Sequence, residues 1–453
     1  MTIQEWLASE TVIEKSRRSY AHFDCRADIA QKRSYISVPR NIERHGFYPF
    51  IHYEQKQTKF SKTGRKKKKR DICYASHIDR CIYQYYCFLL GEKYNRRVVQ
   101  DGISKVAVAY RTDLHQSNIQ FAKRVIRFVR RDSPCYIMIG DFTGFFDHLD
   151  HRYLKQQWCS LIGEPELPKD HYKVFRSLTH YSTWELSDLL ELNGLEDNRA
   201  GRRTLNSMLR VLTPEAYKAN SNRNHITSNP NAFGIPQGSP ISGLLANVYM
   251  LEVDKAVNDL VQEHNGLYMR YSDDFIVVLP DKGSTTLQIL KNISSSFNGI
   301  PGLTLEPNKT QYFRYENTEL ENCGALFDVS PEEQKRFINF LGFTFDGKTV
   351  SIRMKTLGKY YYRMYSKVKT IRKSGNYSPK GKHISNKNLY ALCSVKGAKG
   401  YQIAQRNGKI RWYSGNFLSY VRRAEKEFGT CESIARGIKN HMAKIRRALE
   451  GKK

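Results

Sequence analysis

Residues 267–279, Leu267-Tyr268-Met269-Arg270-Tyr271-Ser272-Asp273-Asp274-Phe275-Ile276-Val277-Val278-Leu279, decide how the rest of this chain is read. Two short apolar runs, Leu267 to Arg270 and Phe275 to Leu279, flank the tetrapeptide Tyr271-Ser272-Asp273-Asp274. The pattern predicts strand, tight turn, strand, with two adjacent carboxylates at the turn. Neighbouring carboxylates repel, so a fold that keeps them beside apolar strands tends to give them cations. An Asp-Asp pair is also a common solvated turn, and the tetrapeptide alone does not separate the two.

A partner lies upstream. Tyr136-Ile137-Met138-Ile139-Gly140 is apolar throughout, as a buried strand is, and it runs into Asp141-Phe142-Thr143-Gly144-Phe145-Phe146-Asp147. Asp141 is either a strand-end cap or a third ligand that, with Asp273 and Asp274, completes a site for two divalent cations. Before that strand, Asn118 to Arg130 has the period of an amphipathic helix, with Phe121, Val125, Phe128 and Val129 on one stripe. Between the two acidic elements, Phe233-Gly234-Ile235-Pro236-Gln237-Gly238-Ser239-Pro240-Ile241-Ser242-Gly243-Leu244-Leu245-Ala246-Asn247 predicts a loop running into an apolar helix that ends near Asp254. Glycine lets a backbone approach a ligand closely, and a helix N-terminus favours anionic groups. An ordinary loop and cap would use similar residues. Residues 72–90 predict a helix with apolar and aromatic side chains on more than one face, and residues 152–230 are mostly helical and polar.

Composition points to a polyanionic partner. The 453 residues are 40% apolar, enough for two or three packed modules, and carry a formal charge of +30. Residues 351–453 hold 26 Lys and Arg against Glu425, Glu427, Glu432 and Glu450, a net +22, which leaves only +8 for the first 350 residues. A basic terminal stretch on a nearly balanced body suggests a grip on a phosphate backbone. The run Arg65-Lys66-Lys67-Lys68-Lys69-Arg70 predicts a mobile loop, because six successive like charges do not pack, and contact with nucleic acid is its expected use. Nine cysteines with no Cys-x-x-Cys pair and no zinc spacing fit a reducing cytoplasm. The start of the chain lacks signal-peptide regions and no apolar run reaches membrane-spanning length, so the expectation is a soluble cytoplasmic protein without a membrane partner.

Taken together, the blocks resemble the palm of reverse transcriptases in order and spacing. Asp141 to His151 is similar to its motif A, Gly234 to Asn247 to motif B, and Tyr271 to Asp274 to motif C. Leu303-Thr304-Leu305-Glu306-Pro307-Asn308-Lys309-Thr310 is similar to motif D, and Ile338-Asn339-Phe340-Leu341-Gly342-Phe343 to the primer-grip hairpin. The resemblance covers about residues 70–345 and implies an α+β right-hand polymerase. Fingers would lie within 1–130, the palm with its antiparallel sheet within 131–345, including the helical insertion at about 152–230, and a helical basic thumb within 346–453. It implies that Asp141, Asp273 and Asp274 hold two Mg2+ ions, which activate a primer oxygen and stabilise leaving pyrophosphate. Phe142 and Phe146 would border the nucleotide, and the Phe146 ring would clash with a 2′-hydroxyl, so the product would be DNA. Gln237 would line the same pocket, and Lys309 would approach and protonate the pyrophosphate. Arg111, or Lys105, would meet the triphosphate. Phe340, Leu341 and Gly342 would grip the primer.

Within that family the tail discriminates. No aspartate follows Asp346, so residues 346–453 encode no carboxylate-based RNase H or endonuclease, which excludes a retroviral enzyme. Pro236-Gln237-Gly238-Ser239 has Ser where group II intron enzymes usually have a second Gly. The Val-Thr-Gly and Asn-Ala-x-x-His motifs of retron enzymes are missing from the sequence. His45-Gly46-Phe47-Tyr48-Pro49-Phe50-Ile51-His52-Tyr53 and Ile72-Cys73-Tyr74-Ala75-Ser76-His77-Ile78-Asp79-Arg80 resemble the N-terminal regions of bacterial defence-associated reverse transcriptases, most of all class 2. That resemblance implies a noncoding RNA template, deoxynucleoside triphosphates, a complementary DNA or RNA–DNA hybrid product, and a role in phage defence. Tyr360-Tyr361-Tyr362 with Arg363, and Arg411-Trp412-Tyr413, interleave rings with cations as nucleic-acid surfaces do, although for most of these rings core aromatics under basic exteriors are the better explanation. Untemplated or tyrosine-primed synthesis, a retron-type enzyme, and an RNA-binding assembly protein with a vestigial palm are the alternatives. Oligomeric state is not legible.

Overall fold

The computed structural model describes residues 1–453 except 56, 62–63, 223, 330–335, 374–385, 399–400, 405–409, 414 and 452–453, with backbone alone in 57–61, 64–68, 386–388, 401–404 and 410–413. Strands β1 (Phe50–Glu54), β2 (Gln57–Ser61), β3 (Gly64–Lys68) and β4 (Asp71–Tyr74) form one long antiparallel ribbon. Gln55 and Arg70 join its two halves by exchanging backbone hydrogen bonds of 2.8 and 3.2 Å. Residues 65–68 of the basic run, expected as part of a mobile loop, are therefore strand β3, with Lys69 and Arg70 just after it. Residues 72–90 also need correction, because Ile72 to Tyr74 pair with β1 and the helix starts at His77, running to Gln100 behind a Ser76 cap.

Strand β5 (Cys135–Asp141) follows the helix Asn118–Arg131, whose first turn is closed by a capping box between Ser117 and Gln120, a device worth about 1 kcal/mol. The polar stretch after β5 is mainly helical, as expected. It also contributes β6 (Ser182–Glu185) and β7 (Ile226–Ser228), which return to the first sheet in the order β4-β1-β6-β7, with β1 and β6 parallel. The helix expected to end near Asp254 is two helices, Ser242–Tyr249 and Leu251–Glu263, meeting at Met250.

Strands β8 (Leu267–Tyr271), β9 (Asp274–Pro280), β10 (Gln311–Glu316) and β11 (Glu319–Asn322) join β5 in an antiparallel sheet ordered β11-β10-β5-β9-β8. Its two faces feed two different cores. Tyr136, Met138, Phe275, Val277 and Leu279 pack towards the helices His77–Gln100 and Ser242–Tyr249. Cys135, Ile137, Ile276 and Val278 pack towards the helix Asn118–Arg131 and the C-terminal elements. A strand buried on both faces has no polar alternation, which is why 136–140 and 275–279 read as unbroken apolar runs.

Past this sheet lie β12 (Ile338–Phe340), β13 (Phe343–Phe345) and β14 (Val350–Ile352), then the helix Met354–Lys373. Leu357, Tyr360, Met364, Val368 and Ile371 form that helix's buried stripe, leaving Lys359, Tyr362 and Arg363 outward. The Tyr360 and Tyr361 hydroxyls donate to the carbonyls of Cys393 and Gly437, so these two rings serve the core. Residues 401–404 and 410–413, expected to be helical, pair as a hairpin of β15 and β16. The sequence also predicts a loop over 373–384, which lies almost wholly outside the described residues. All nine cysteines are free. Among the described residues no helix is long and apolar enough to cross a membrane.

Candidate active site

The turn between β8 and β9 is two residues long, Ser272 and Asp273, and Ser272 takes φ = 63°, the left-handed conformation such turns need. Pairing of β9 with β5 sets Asp274 directly opposite Asp141, so both side chains leave the same face of the sheet. Asp273 joins them from the turn, where its carbonyl accepts from Phe142 N at 3.3 Å. Two segments more than 130 residues apart thus bring three carboxylates to one end of the sheet's inner strands. Gly140 makes room for this pairing, since a Cβ there would fall 2.4 Å from the Phe275 ring.

Their environment is short of positive charge. Burial, and then Asp141, push the Asp273 carboxyl up. Burial, Asp273 and Asp141 raise Asp274 to about 7, against the opposing pull of Lys309 and Arg353. Asp141 Oδ2 accepts from Lys309 Nζ at 2.7 Å, while Asp141 Oδ1 is buried with no hydrogen-bond partner. Lys309 reaches that position because its block is pinned along the end of β5. Glu306 N donates to Asp141 O at 2.8 Å, Thr143 N donates to Thr304 O, and Lys309 N closes a turn onto Glu306 O. The orphaned Asp141 oxygen and the raised carboxyls suit divalent cations. Among the described residues no three His, Cys, Asp or Glu side chains close into a ready cage. Such a site suits magnesium-like ions that complete their shell with water and substrate phosphates.

The remaining expected residues divide. Phe146 is partly exposed, and its carbonyl accepts from Ile235 N at 3.0 Å, which ties the glycine-rich loop to it. Gln237 is partly exposed, its carbonyl bonded to Cys73 N of β4, and Gly238 at φ = 121° passes so close to Cys73 O that a Cβ would lie 2.3 Å away. Phe142 is a correction: it is 1% exposed, packed between Phe145, Phe275 and Phe297, and so belongs to the core that carries the site. Arg111 is another, because its guanidinium is buried against Asp113 at 2.5 Å and Ser104 O at 2.9 Å, leaving no free face for a triphosphate. Lys105 is exposed. Phe340 is buried at 5%, whereas the turn Leu341-Gly342, with φ of 47° and 91°, is partly exposed and held by Asn118 through Leu341 O at 2.8 Å. Lys69 pairs with Glu54, Arg70 is exposed, and Arg363 is exposed. The side chains of Arg65, Lys66, Lys67, Lys68 and Arg411 lie outside the described residues.

A buried ion pair beneath the turn escaped the sequence reading. Arg270, 0% exposed, grips Asp254 through Nε and Nη2, at 2.9 and 2.5 Å, and Nη1 donates to Ser272 O at 2.9 Å. Tyr268 Oη adds a 2.8 Å bond to Asp254. The signal was only half available: a lone Arg inside an apolar strand needs a partner, but Asp254 shares its helix with Glu252, Asp259 and Glu263, and only the fold picks it out.

A family model described as reverse transcriptase (RNA-dependent DNA polymerase) matches residues 93–345, more than half of the chain. No curated protein matches the chain significantly. Among solved structures, apo telomerase from Candida tropicalis truncated from its C-terminal domain is similar at 12% identity and TM-score 0.39, covering 72% of this chain and 61% of that one. Telomerase from Candida albicans in complex with a TWJ fragment of telomeric RNA is similar at 14% identity and TM-score 0.36, covering 80% and 60%. The chain thus spans about three-fifths of the length of these two telomerase chains.

Proposed function

The chain belongs to the reverse transcriptase (RNA-dependent DNA polymerase) family, and from that premise we propose that it copies a bound noncoding RNA into DNA by metal-dependent nucleotidyl transfer. The observation that carries this reading is the pairing of Asp141 with Asp274 at the ends of two inner strands, with Asp273 in the adjoining turn and an unpartnered oxygen on Asp141. These three carboxylates would hold two Mg2+ ions, whose chemistry is to activate a 3′ oxygen and neutralise the leaving pyrophosphate. The protein's own side chains do the rest. Lys309 keeps its ammonium 2.7 Å from Asp141, from where it can turn to the departing phosphate and give up a proton at Nζ. The Phe146 ring excludes a 2′-hydroxyl, and Gln237 borders the same pocket. Lys69, Arg70, Arg363 and the basic tail draw in the nucleic acid.

In this reading residues 1–130 serve as fingers, 131–345 as palm and 346–453 as a basic thumb, and Leu341-Gly342 is the part of the primer grip that can touch nucleic acid. The resemblance of residues 45–53 and 72–80 supports a bacterial defence-associated enzyme acting against phage. Protein purified with its own RNA, Mg2+ and deoxynucleotides should make RNA-complementary DNA, and Asp273→Ala with Asp274→Ala should abolish it. Full synthesis by the double variant refutes the site. Homopolymeric product in place of complementary DNA refutes the templated reading.

A further inference from the structure

Tyr110 is the side chain on which the blocks of the site converge, although none of them contains it. The segment before it runs beside β8, with Arg270 N donating to Val106 O at 2.9 Å and Val108 N donating to Arg270 O at 3.0 Å. Val106, Ala107, Val108 and Ala109 are buried, and Arg111 is buried after it, yet Tyr110 is 54% exposed. Its backbone is the reason. At φ = 61° Tyr110 occupies the left-handed region, uncommon for a bulky residue, and this turns the ring out of the core. Asn247, buried in the Ser242–Tyr249 helix, holds the bend by donating from Nδ2 to Ala109 O at 2.9 Å.

The expelled ring does not point to open solvent. It lies on Gly243, where a Cβ would fall 2.7 Å from the ring, so the absence of a side chain at 243 is what admits it. It stands edge-to-face with Phe146, centroids 6.5 Å apart at 73°. Its hydroxyl is 3.0 Å from Ser272 Oγ, in the turn next to Asp273. A half-exposed ring gains little from burial, so backbone strain maintained by a buried asparagine calls for another use.

We propose that Tyr110 is a specificity-determining residue for the incoming deoxynucleoside triphosphate. With Phe146 it forms two adjoining aromatic walls of one slot, sized for a deoxyribose, and its hydroxyl ties that slot to the carboxylate-bearing turn. This rests on the polymerase reading above.

The test uses full-length protein with its RNA, comparing wild type, Tyr110→Phe and Tyr110→Ala. Single-nucleotide incorporation gives kcat and KM for a deoxynucleotide and its ribonucleotide, and equilibrium binding of both is measured with Ca2+ in place of Mg2+. Removing the ring should raise the deoxynucleotide KM and lower the deoxy-to-ribo preference, each by about tenfold, in turnover and in binding. Tyr110→Phe should keep that preference and lower kcat alone, a split that loss of fold would not produce. An unchanged preference and affinity in Tyr110→Ala, beside an active wild type, overturns the role of Tyr110 and leaves the polymerase reading standing. A wild type that neither polymerises nor binds deoxynucleotides overturns both.

Discussion

Affinity for divalent cations should rise with pH across neutrality, and Asp274 should set the slope. With its carboxyl at about 7 in the cation-free protein, Asp274 is about one-eleventh ionised at pH 6 and ten-elevenths at pH 8. A cation needs the ionised form, so binding expels the proton and apparent affinity climbs with the ionised fraction, by about tenfold over those two units. Asp274 is open to solvent on one side, and water screens the repulsion from Asp141 and Asp273, which makes tenfold the upper bound. The sign for folding is opposite. A carboxyl raised in the folded state binds its proton better there than in the unfolded chain, so this contribution to stability is present at acid pH and lost as pH rises through about 7. Without divalent cations the protein should therefore melt at lower temperature at pH 8 than at pH 6, and Asp274→Asn should flatten both trends. Mn2+ titration by calorimetry, in two buffers of different ionisation enthalpy, reads affinity and proton release together. Equal affinity at pH 6 and 8 with no proton released at pH 6 would refute the reasoning.

Breaking the Arg270–Asp254 pair by Asp254→Asn or Arg270→Met alone should cost about 3–5 kcal/mol in urea unfolding, because a charge is left buried. Joining Arg270→Met to Asp254→Leu should restore much of that stability without restoring DNA synthesis, since Ser272 O has lost its donor. Lys309→Met should lower kcat by about 100-fold in single-nucleotide incorporation, with Lys309→Arg recovering part of it through the restored charge beside Asp141. Replacing the exposed Lys359 and Arg363 by Ala should reduce the slope of log RNA affinity against log salt by about 1–1.5 in filter binding, and an unchanged slope would take both residues out of phosphate contact.

What was legible in the sequence was whatever burial periodicity dictates. The β8–β9 hairpin, β5 and the helix Asn118–Arg131 stand where the apolar patterns put them. Strands β6 and β7 did not show, because four- and three-residue polar strands carry too little pattern, and β6 is held by a parallel pairing with β1 across some 130 residues. At the site, residue type located the carboxylates, but orientation decided the rest. Phe142 and Phe146 sit four residues apart in one block, yet one ring is closed inside the core and the other is partly exposed at its rim. Arg111 looked available until Asp113, two residues on, was seen to fold back onto it. Tyr110 was hidden for a related reason: nothing in its neighbours announces a left-handed backbone.

The pairing of Asp141 with Asp274 also orders events in time. The two residues that face each other are separated by the whole helical stretch between β5 and β9, and no shorter segment holds the pair. A chain emerging from the ribosome at about 5–20 residues per second therefore brings these carboxylates together only after β9, which ends at Pro280, is out and can pair with β5. The stretch carrying a net +22 comes only after that. Synthesis order thus places the most basic stretch of the chain after the strands that bring the carboxylates together.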